Sequence, residues 1–172
     1  DSNSKFDYQR TYPYGDLFAN ITGYYSWDYG RTQLERTQND VLAGKTAQQQ
    51  LEATGDLFTL GDVTGSVHVT IDSRIQAAAK KALGDKEGSV VVTNPTTGAV
   101  LAMYSNPSFD PNAVAVHDVE AAGAALTALD ETPGKPLLAN AYQERYMPGS
   151  TFKVLTTATG LSSGVVSGAS MW

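Results

Sequence analysis

The chain has 172 residues, a formal net charge of −6, 41% hydrophobic and 17% charged residues, and no cysteine. This length and composition allow a buried core, but the acidic balance argues against nucleic-acid binding, and the lack of cysteine excludes disulfides and thiolate chemistry. The two histidines, His68 and His117, lie far apart, so a histidine triad or metal site is not expected, and no stretch approaches the ~20 apolar residues of a membrane span.

The first part of the chain reads as short elements followed by a linker. Residues 6–30 are rich in Tyr, Phe, Trp and Gly, a composition that favours short strands. Residues 32–42 have helical spacing and end before Gly44. Residues 44–65 are polar and contain four glycines, which predicts an extended connection.

A change of pattern at Ser66 marks the start of a mixed α/β (α+β) region. Residues 67–71 alternate like a strand, and Asp72 is a good N-cap for a helix over 75–83. The apolar runs at 89–93 and 99–104 flank a Pro/Gly turn and predict a β-hairpin. Because the valine run is nearly continuous, we expect it to be buried on both faces, with a helix on each side.

The pattern of the last part of the chain predicts two helices. In the second, the expected burial conflicts with a charged residue, and this conflict is the most informative feature of the sequence. Residues 113–130 are alanine-rich and helical in character, and an irregular segment follows from Pro133 to Gly149. A second helix is predicted from Ser150 to residue 161. Its apolar residues form no single stripe, so we expect it to be buried on most sides, yet it contains one charge, Lys153.

Ser150 and Lys153 stand three residues apart, which places both side chains on one helix face. A serine hydroxyl is a weak nucleophile that needs a base. A lysine can serve as that base only when its amine is neutral, a state favoured by burial and by the positive end of a helix. The backbone N–H of Ser150 is also placed to donate to a developing oxyanion.

Two other interpretations of this region remain open on spacing alone. Ser150 can be an ordinary N-cap, with the Lys153 side chain reaching into solvent. A rival nucleophile motif, Gly-x-Ser-x-Gly, occurs at residues 160–164, but it requires a strand before the serine and a helix after it. Here a predicted helix precedes it, so we interpret residues 160–164 as a helix C-terminus.

Blocks of sequence in a fixed order resemble the catalytic domain of class B penicillin-binding proteins, whose active sites contain a Ser-x-x-Lys motif. Residues 21–36 resemble the pedestal, the non-catalytic region, of actinobacterial members. The catalytic blocks are residues 69–76 (VTIDSRIQ), 92–103 (VTNPTTGAVLAM), 108–112 (SFDPN) and 146–154 (YMPGSTFKV).

The resemblance implies a penicillin-binding, serine β-lactamase-like transpeptidase fold, with residues 1–65 as part of a pedestal of short strands and 66–172 as the N-terminal half of the transpeptidase domain. It implies that Ser150 is the nucleophile and Lys153 the base, that the Ser150 N–H belongs to an oxyanion hole, and that Tyr146 and Phe152 wall the pocket. The pocket-wall role competes with ordinary core packing.

The implied substrate is a peptidoglycan stem peptide ending in D-Ala-D-Ala, with β-lactams as covalent ligands and no metal or cofactor. The family works on the extracytoplasmic side of the bacterial membrane, anchored by an N-terminal helix that this sequence does not contain, and can bind division or elongation proteins. Its second and third motifs, Ser-x-Asn and Lys-Thr-Gly, are not found after Ser150. We therefore expect an incomplete fold with little turnover from the chain alone.

Two alternatives compete with a transpeptidase. A serine β-lactamase or β-lactam sensor shares the Ser-x-x-Lys site, although the pedestal-like residues 1–65 argue against it. A non-catalytic interaction module, with residues 1–65 as its working surface, belongs to a different functional class.

Overall fold

The computed structural model describes residues 8–49 and 65–169, so most of the predicted linker at 44–65 lies outside the described residues. The first described part contains small elements joined by tight turns. In chain order they are a 3-10 turn at Gly15–Leu17, helix α1 (Ala19–Thr22), strands β1 (Tyr25–Ser26) and β2 (Gly30–Arg31), and helices α2 (Gln33–Thr37) and α3 (Asn39–Leu42).

The prediction of short strands across residues 6–30 is only partly correct. Strands β1 and β2 form an antiparallel pair, but residues 15–22 are largely helical. The aromatic side chains pack into a core instead of covering a sheet: the rings of Tyr24 and Phe109 meet edge to face, with centroids 6.3 Å apart. Tertiary packing thus overrides the weak strand preference of aromatic residues.

The helix and hairpin predicted after residue 71 are confirmed. Helix α4 (Ser73–Leu83) begins after Asp72, whose side chain accepts hydrogen bonds from two first-turn N–H groups, and ends at Gly84, which has φ +59°. Strands β3 (Gly88–Thr93) and β4 (Val100–Asn106) pair antiparallel, with Val91 opposite Met103.

The strand predicted at residues 67–71 is not a strand. This segment runs extended beside the start of β4, where the Thr70 hydroxyl donates to Val100 O (2.7 Å) and the Asp72 N–H donates to Leu101 O (2.9 Å). The alternation of apolar and polar residues therefore reports an extended backbone, without the repeated hydrogen bonds of a ladder.

The hairpin is covered unequally on its two faces, so the prediction of burial on both faces, with a helix on each side, is only partly correct. Ala102 and Tyr104 of β4 pack with Ala79 of α4, and Val90 and Val92 join that cluster. Val91 points to the opposite face, because side chains alternate along a strand, and it remains 48% exposed.

The remaining elements lead to the Ser150 segment. They are a 3-10 turn at Pro111–Ala113, helix α5 (Val119–Glu131), helix α6 (Asn140–Gln143), a 3-10 turn at Gly149–Thr151 and helix α7 (Phe152–Ser162). The predicted Ala-rich helix is confirmed over α5, whereas α6 interrupts the segment predicted to be irregular. Among the described residues, the helices are too short or too polar to cross a bilayer.

The N-terminal elements share a core and buried polar contacts with the later region. One cluster contains Ala19, Tyr24, Phe109 and Val114, with side chains of α5 around it. Gln76, which is 1% exposed, donates to Leu17 O (2.9 Å) and Met103 O (3.0 Å) and accepts from the Met103 N–H (2.8 Å). Residues 8–31 are therefore packed onto the hairpin region and do not form a separate body.

Candidate active site at the start of helix α7

Ser150 lies in the 3-10 turn that opens helix α7. Gly149 adopts φ +51°, and the Thr151 N–H closes the turn onto Pro148 O at 3.1 Å. A glycine suits this left-handed position because it has no Cβ. Lys153 follows in the first turn of α7, so the i, i+3 spacing puts Ser150 and Lys153 on the same side of the helix start.

The geometry argues against Ser150 as an ordinary cap. The residue at the N-cap position of the 3-10 turn is Pro148, and the one before α7 is Thr151; neither position has a side-chain capping bond. The Thr151 hydroxyl turns back to Pro148 O. The Ser150 N–H lies in the first turn, where N–H groups lack intrahelical acceptors.

The expected enclosure of this helix is not found, and that prediction is wrong for this chain. Ser150 and Lys153 are exposed, as are Phe152 (55%), Val154 (73%) and Leu155 (60%). Within residues 65–169, the 3-10 turn Gly149–Thr151 is the only element that α7 contacts extensively. The described residues therefore place Ser150 and Lys153 on one side of the helix start. They do not bury the Lys153 amine, and burial is what favours the neutral form of a lysine.

The Gly-x-Ser-x-Gly segment closes helix α7, as predicted. Gly164 has φ +72°, and the N–H groups of Val165 and Val166 donate to Gly160 O at 3.1 and 3.2 Å. This pattern is the usual glycine-based end of a helix. The strand–serine–helix arrangement that a hydrolase elbow requires does not occur at this place.

A cavity of about 550 Å³ lies elsewhere, among side chains of α1, α2, residues 68–71 and β4. Neither Tyr146 nor Phe152 lines it, and Tyr146 is 58% exposed. Across residues 8–49 and 65–169, no three His, Cys, Asp or Glu side chains come together in a way that would hold a metal ion.

Helix α6 was not predicted from the sequence, although it comes directly before the segment that leads to Ser150. The Ala141 N–H donates to the hydroxyl of Ser105 (3.1 Å), and the Asn140 side-chain amide donates to Asn106 O (3.2 Å). The only sign of this contact in the sequence is that Asn140 stands in an apolar stretch, where a buried polar side chain needs a hydrogen-bond partner.

Two sequence families match the chain in succession. Residues 1–67 match the penicillin binding protein A dimerisation domain, and residues 88–170 match the penicillin binding protein transpeptidase domain. The peptidoglycan D,D-transpeptidase PbpA of Mycolicibacterium smegmatis is 43% identical over an alignment of 169 positions, which covers 95% of this chain and 34% of the relative. MrdA of Escherichia coli K12, also named a peptidoglycan D,D-transpeptidase, is 30% identical over 92% of this chain and 29% of its own length.

The solved structures agree with this assignment. Penicillin-binding protein A from M. tuberculosis, in its penicillin G acyl-enzyme complex, superposes with a TM-score of 0.87 at 38% identity, covering 95% of this chain and 39% of that one. The D,D-transpeptidase domain from Eggerthella lenta superposes with a TM-score of 0.70 at 34% identity, covering 92% of this chain and 32% of that one. The chain spans about a third of the length of the curated relatives described above. With both sequence families, the relatives and the fold in agreement, the chain belongs to the class B penicillin-binding proteins.

Proposed function

We propose that this chain contributes the nucleophile segment of a peptidoglycan D,D-transpeptidase that β-lactams acylate. The observation that carries the proposal is the Ser-x-x-Lys motif at the start of α7, in a chain that is 43% identical to a protein named as such a transpeptidase. A relative of the same fold is known as a penicillin G acyl-enzyme complex.

Each residue of the motif has a distinct role in the proposed reaction. The Ser150 hydroxyl attacks the carbonyl carbon of the penultimate D-alanine, and the Lys153 amine accepts the hydroxyl proton. The Ser150 N–H is one donor to the tetrahedral oxyanion. The terminal D-alanine leaves as the acyl-enzyme forms, and an amine of a neighbouring stem peptide then takes the acyl group from Ser150. Tyr146 and Phe152 are proposed to wall the acyl pocket.

Labelling of the full-length protein with a fluorescent penicillin tests the proposal. Wild-type protein should bind the label covalently at Ser150, and Ser150→Ala should bind none while keeping its unfolding temperature. Ser162→Ala is the matched control, because it removes the serine of the rival motif from the same helix, and it should label normally. Label found at another residue, or retained by Ser150→Ala, would overturn the assignment.

The wider biology is proposed on family membership alone. Residues 1–65 are proposed to belong to the pedestal, and residues 66–172 to the N-terminal half of the transpeptidase domain. The full-length protein is proposed to act on the extracytoplasmic side of the membrane through an N-terminal anchor, with division or elongation proteins as partners. A penicillin that cannot cross the cytoplasmic membrane should label the protein in intact cells. Absence of that label would contradict the proposed location.

A further inference from the structure

Helix α6 is the last firmly held element before the nucleophile. It packs on both strands of the hairpin, at the end where β3 begins and β4 finishes. The segment between α6 and the turn that contains Ser150, residues 144–148, is exposed. Within the described residues its hydrogen bonds are local, from the Arg145 N–H to Glu144 and from the Thr151 N–H and hydroxyl to Pro148 O.

Two buried polar side chains join α6 to the end of β4. Ser105 is 1% exposed, and its hydroxyl oxygen accepts the Ala141 N–H at 3.1 Å. Asn140 is 4% exposed, and its amide donates to Asn106 O at 3.2 Å. Tyr142 of α6 makes further polar contacts, a hydrogen bond from its hydroxyl to Asn20 O at 3.3 Å and one with the Gln33 side chain, but this tyrosine is half exposed.

We propose that Ser105 and Asn140 are positioning residues for the nucleophile, acting by holding α6 against the end of β4. The inference rests on the proposed role of Ser150. Only six residues separate Gln143, where α6 ends, from Ser150, so a shift of α6 moves the Ser150 hydroxyl. Displacements of about 1 Å can reduce a reaction rate by up to about a hundredfold.

Acylation kinetics of the full-length protein test this inference. Stopped-flow measurements with a fluorescent penicillin separate the dissociation constant of the first complex from the acylation rate constant. Asn140→Ala and Ser105→Ala should each lower the acylation rate constant about tenfold, with the dissociation constant changed less than about twofold. Ser105→Ala removes a single oxygen atom, so it decides the question if Asn140→Ala fails to fold.

Asn112→Ala provides a matched control for loss of stability. Asn112 also ties two segments together through its side chain, accepting the Tyr12 N–H (2.8 Å) and donating to Tyr12 O (2.9 Å), but it does not hold α6. Its substitution should lower the unfolding temperature and leave the acylation rate constant unchanged. An unchanged rate constant in Ser105→Ala, or an equal loss in Asn112→Ala, would overturn the inference. Failure of wild-type protein to label at Ser150 would instead overturn the proposed function.

Discussion

At the scale of single residues, buried polar side chains hold the hairpin region together. Gln76 satisfies two carbonyl groups and one N–H with a side chain that is 1% exposed. The sequence gives no sign that Gln76 is buried, because helix α4 also contains exposed polar residues such as Arg74 and Lys81. The hydrogen-bond partners of Gln76 are Leu17 and Met103, which are distant in sequence.

Gln76→Leu should destabilise the protein by about 3 kcal/mol, because it leaves buried backbone groups without hydrogen-bond partners. Chemical denaturation of the full-length protein measures this change. Ala78→Leu adds a leucine to an exposed position of the same helix and should change stability by less than about 0.5 kcal/mol. Equal effects of the two substitutions would show that the buried hydrogen bonds contribute nothing.

Asp72 gives the stability a defined dependence on pH. Hydrogen bonds from the Arg74 side chain, and from the Arg74 and Ile75 N–H groups, lower the pKa of Asp72 from 3.8 to about 2. Because the folded pKa lies below the unfolded one, the stabilisation is present above about pH 4 and is lost as the pH falls toward 2.

Asp72→Asn tests this dependence, since asparagine keeps the capping oxygen without the charge. The difference in unfolding temperature between wild type and Asp72→Asn should be constant from about pH 7 to pH 5 and should shrink between about pH 4 and pH 2. Asp118 also caps a helix, α5, but it does so through the Ala121 N–H. A difference that stays constant down to pH 2 would contradict the role of the Asp72 charge.

At the scale of elements, tight turns let the short N-terminal helices and strands pack. Gly23 ends α1 with φ +74°, and a Cβ placed there would lie 2.4 Å from Thr32 O. Gly84 ends α4 with φ +59°, and a Cβ there would meet nothing within 4 Å. The two glycines therefore share an unfavourable backbone conformation but differ in crowding.

Alanine substitution should separate these two contributions. Gly84→Ala should cost about 2 kcal/mol through backbone strain alone, and Gly23→Ala should cost about 2 kcal/mol more through contact with the Thr32 carbonyl. Urea denaturation of both variants measures the difference. Equal losses would mean that the segment around Thr32 moves away without cost.

At the scale of the whole molecule, the Ser150 segment is assembled locally but not enclosed. Helix α7 and the residues before it present large apolar side chains to solvent, including Met147 at 96% exposure and Val154 at 73%. Such a surface is unusual for a folded protein and is typical of an interface. In a penicillin-binding protein we expect other parts of the protein to cover it.

The 172-residue chain alone should therefore react with a fluorescent penicillin at least about a hundredfold more slowly than the full-length protein, because Lys153 is exposed to solvent and the described residues do not enclose a ligand at Ser150. Gel fluorescence after timed labelling measures both rates. The full-length Ser150→Ala protein sets the background. Rapid stoichiometric labelling of the chain alone would show that the described residues are sufficient for the chemistry.

Local patterns in the sequence determined the family, the capped helix α4, the hairpin β3–β4 and the glycine-terminated end of α7, because each depends on residues close together in the chain. The domain boundary after residue 65 and the roles of Ser150, Lys153, Tyr146 and Phe152 stay predictions. Only the tertiary structure decided that residues 8–31 pack onto the hairpin, that Ser105 and Asn140 hold α6, and that α7 is uncovered here. Burial and buried hydrogen bonds depend on which distant segments meet, and a linear pattern does not contain that information.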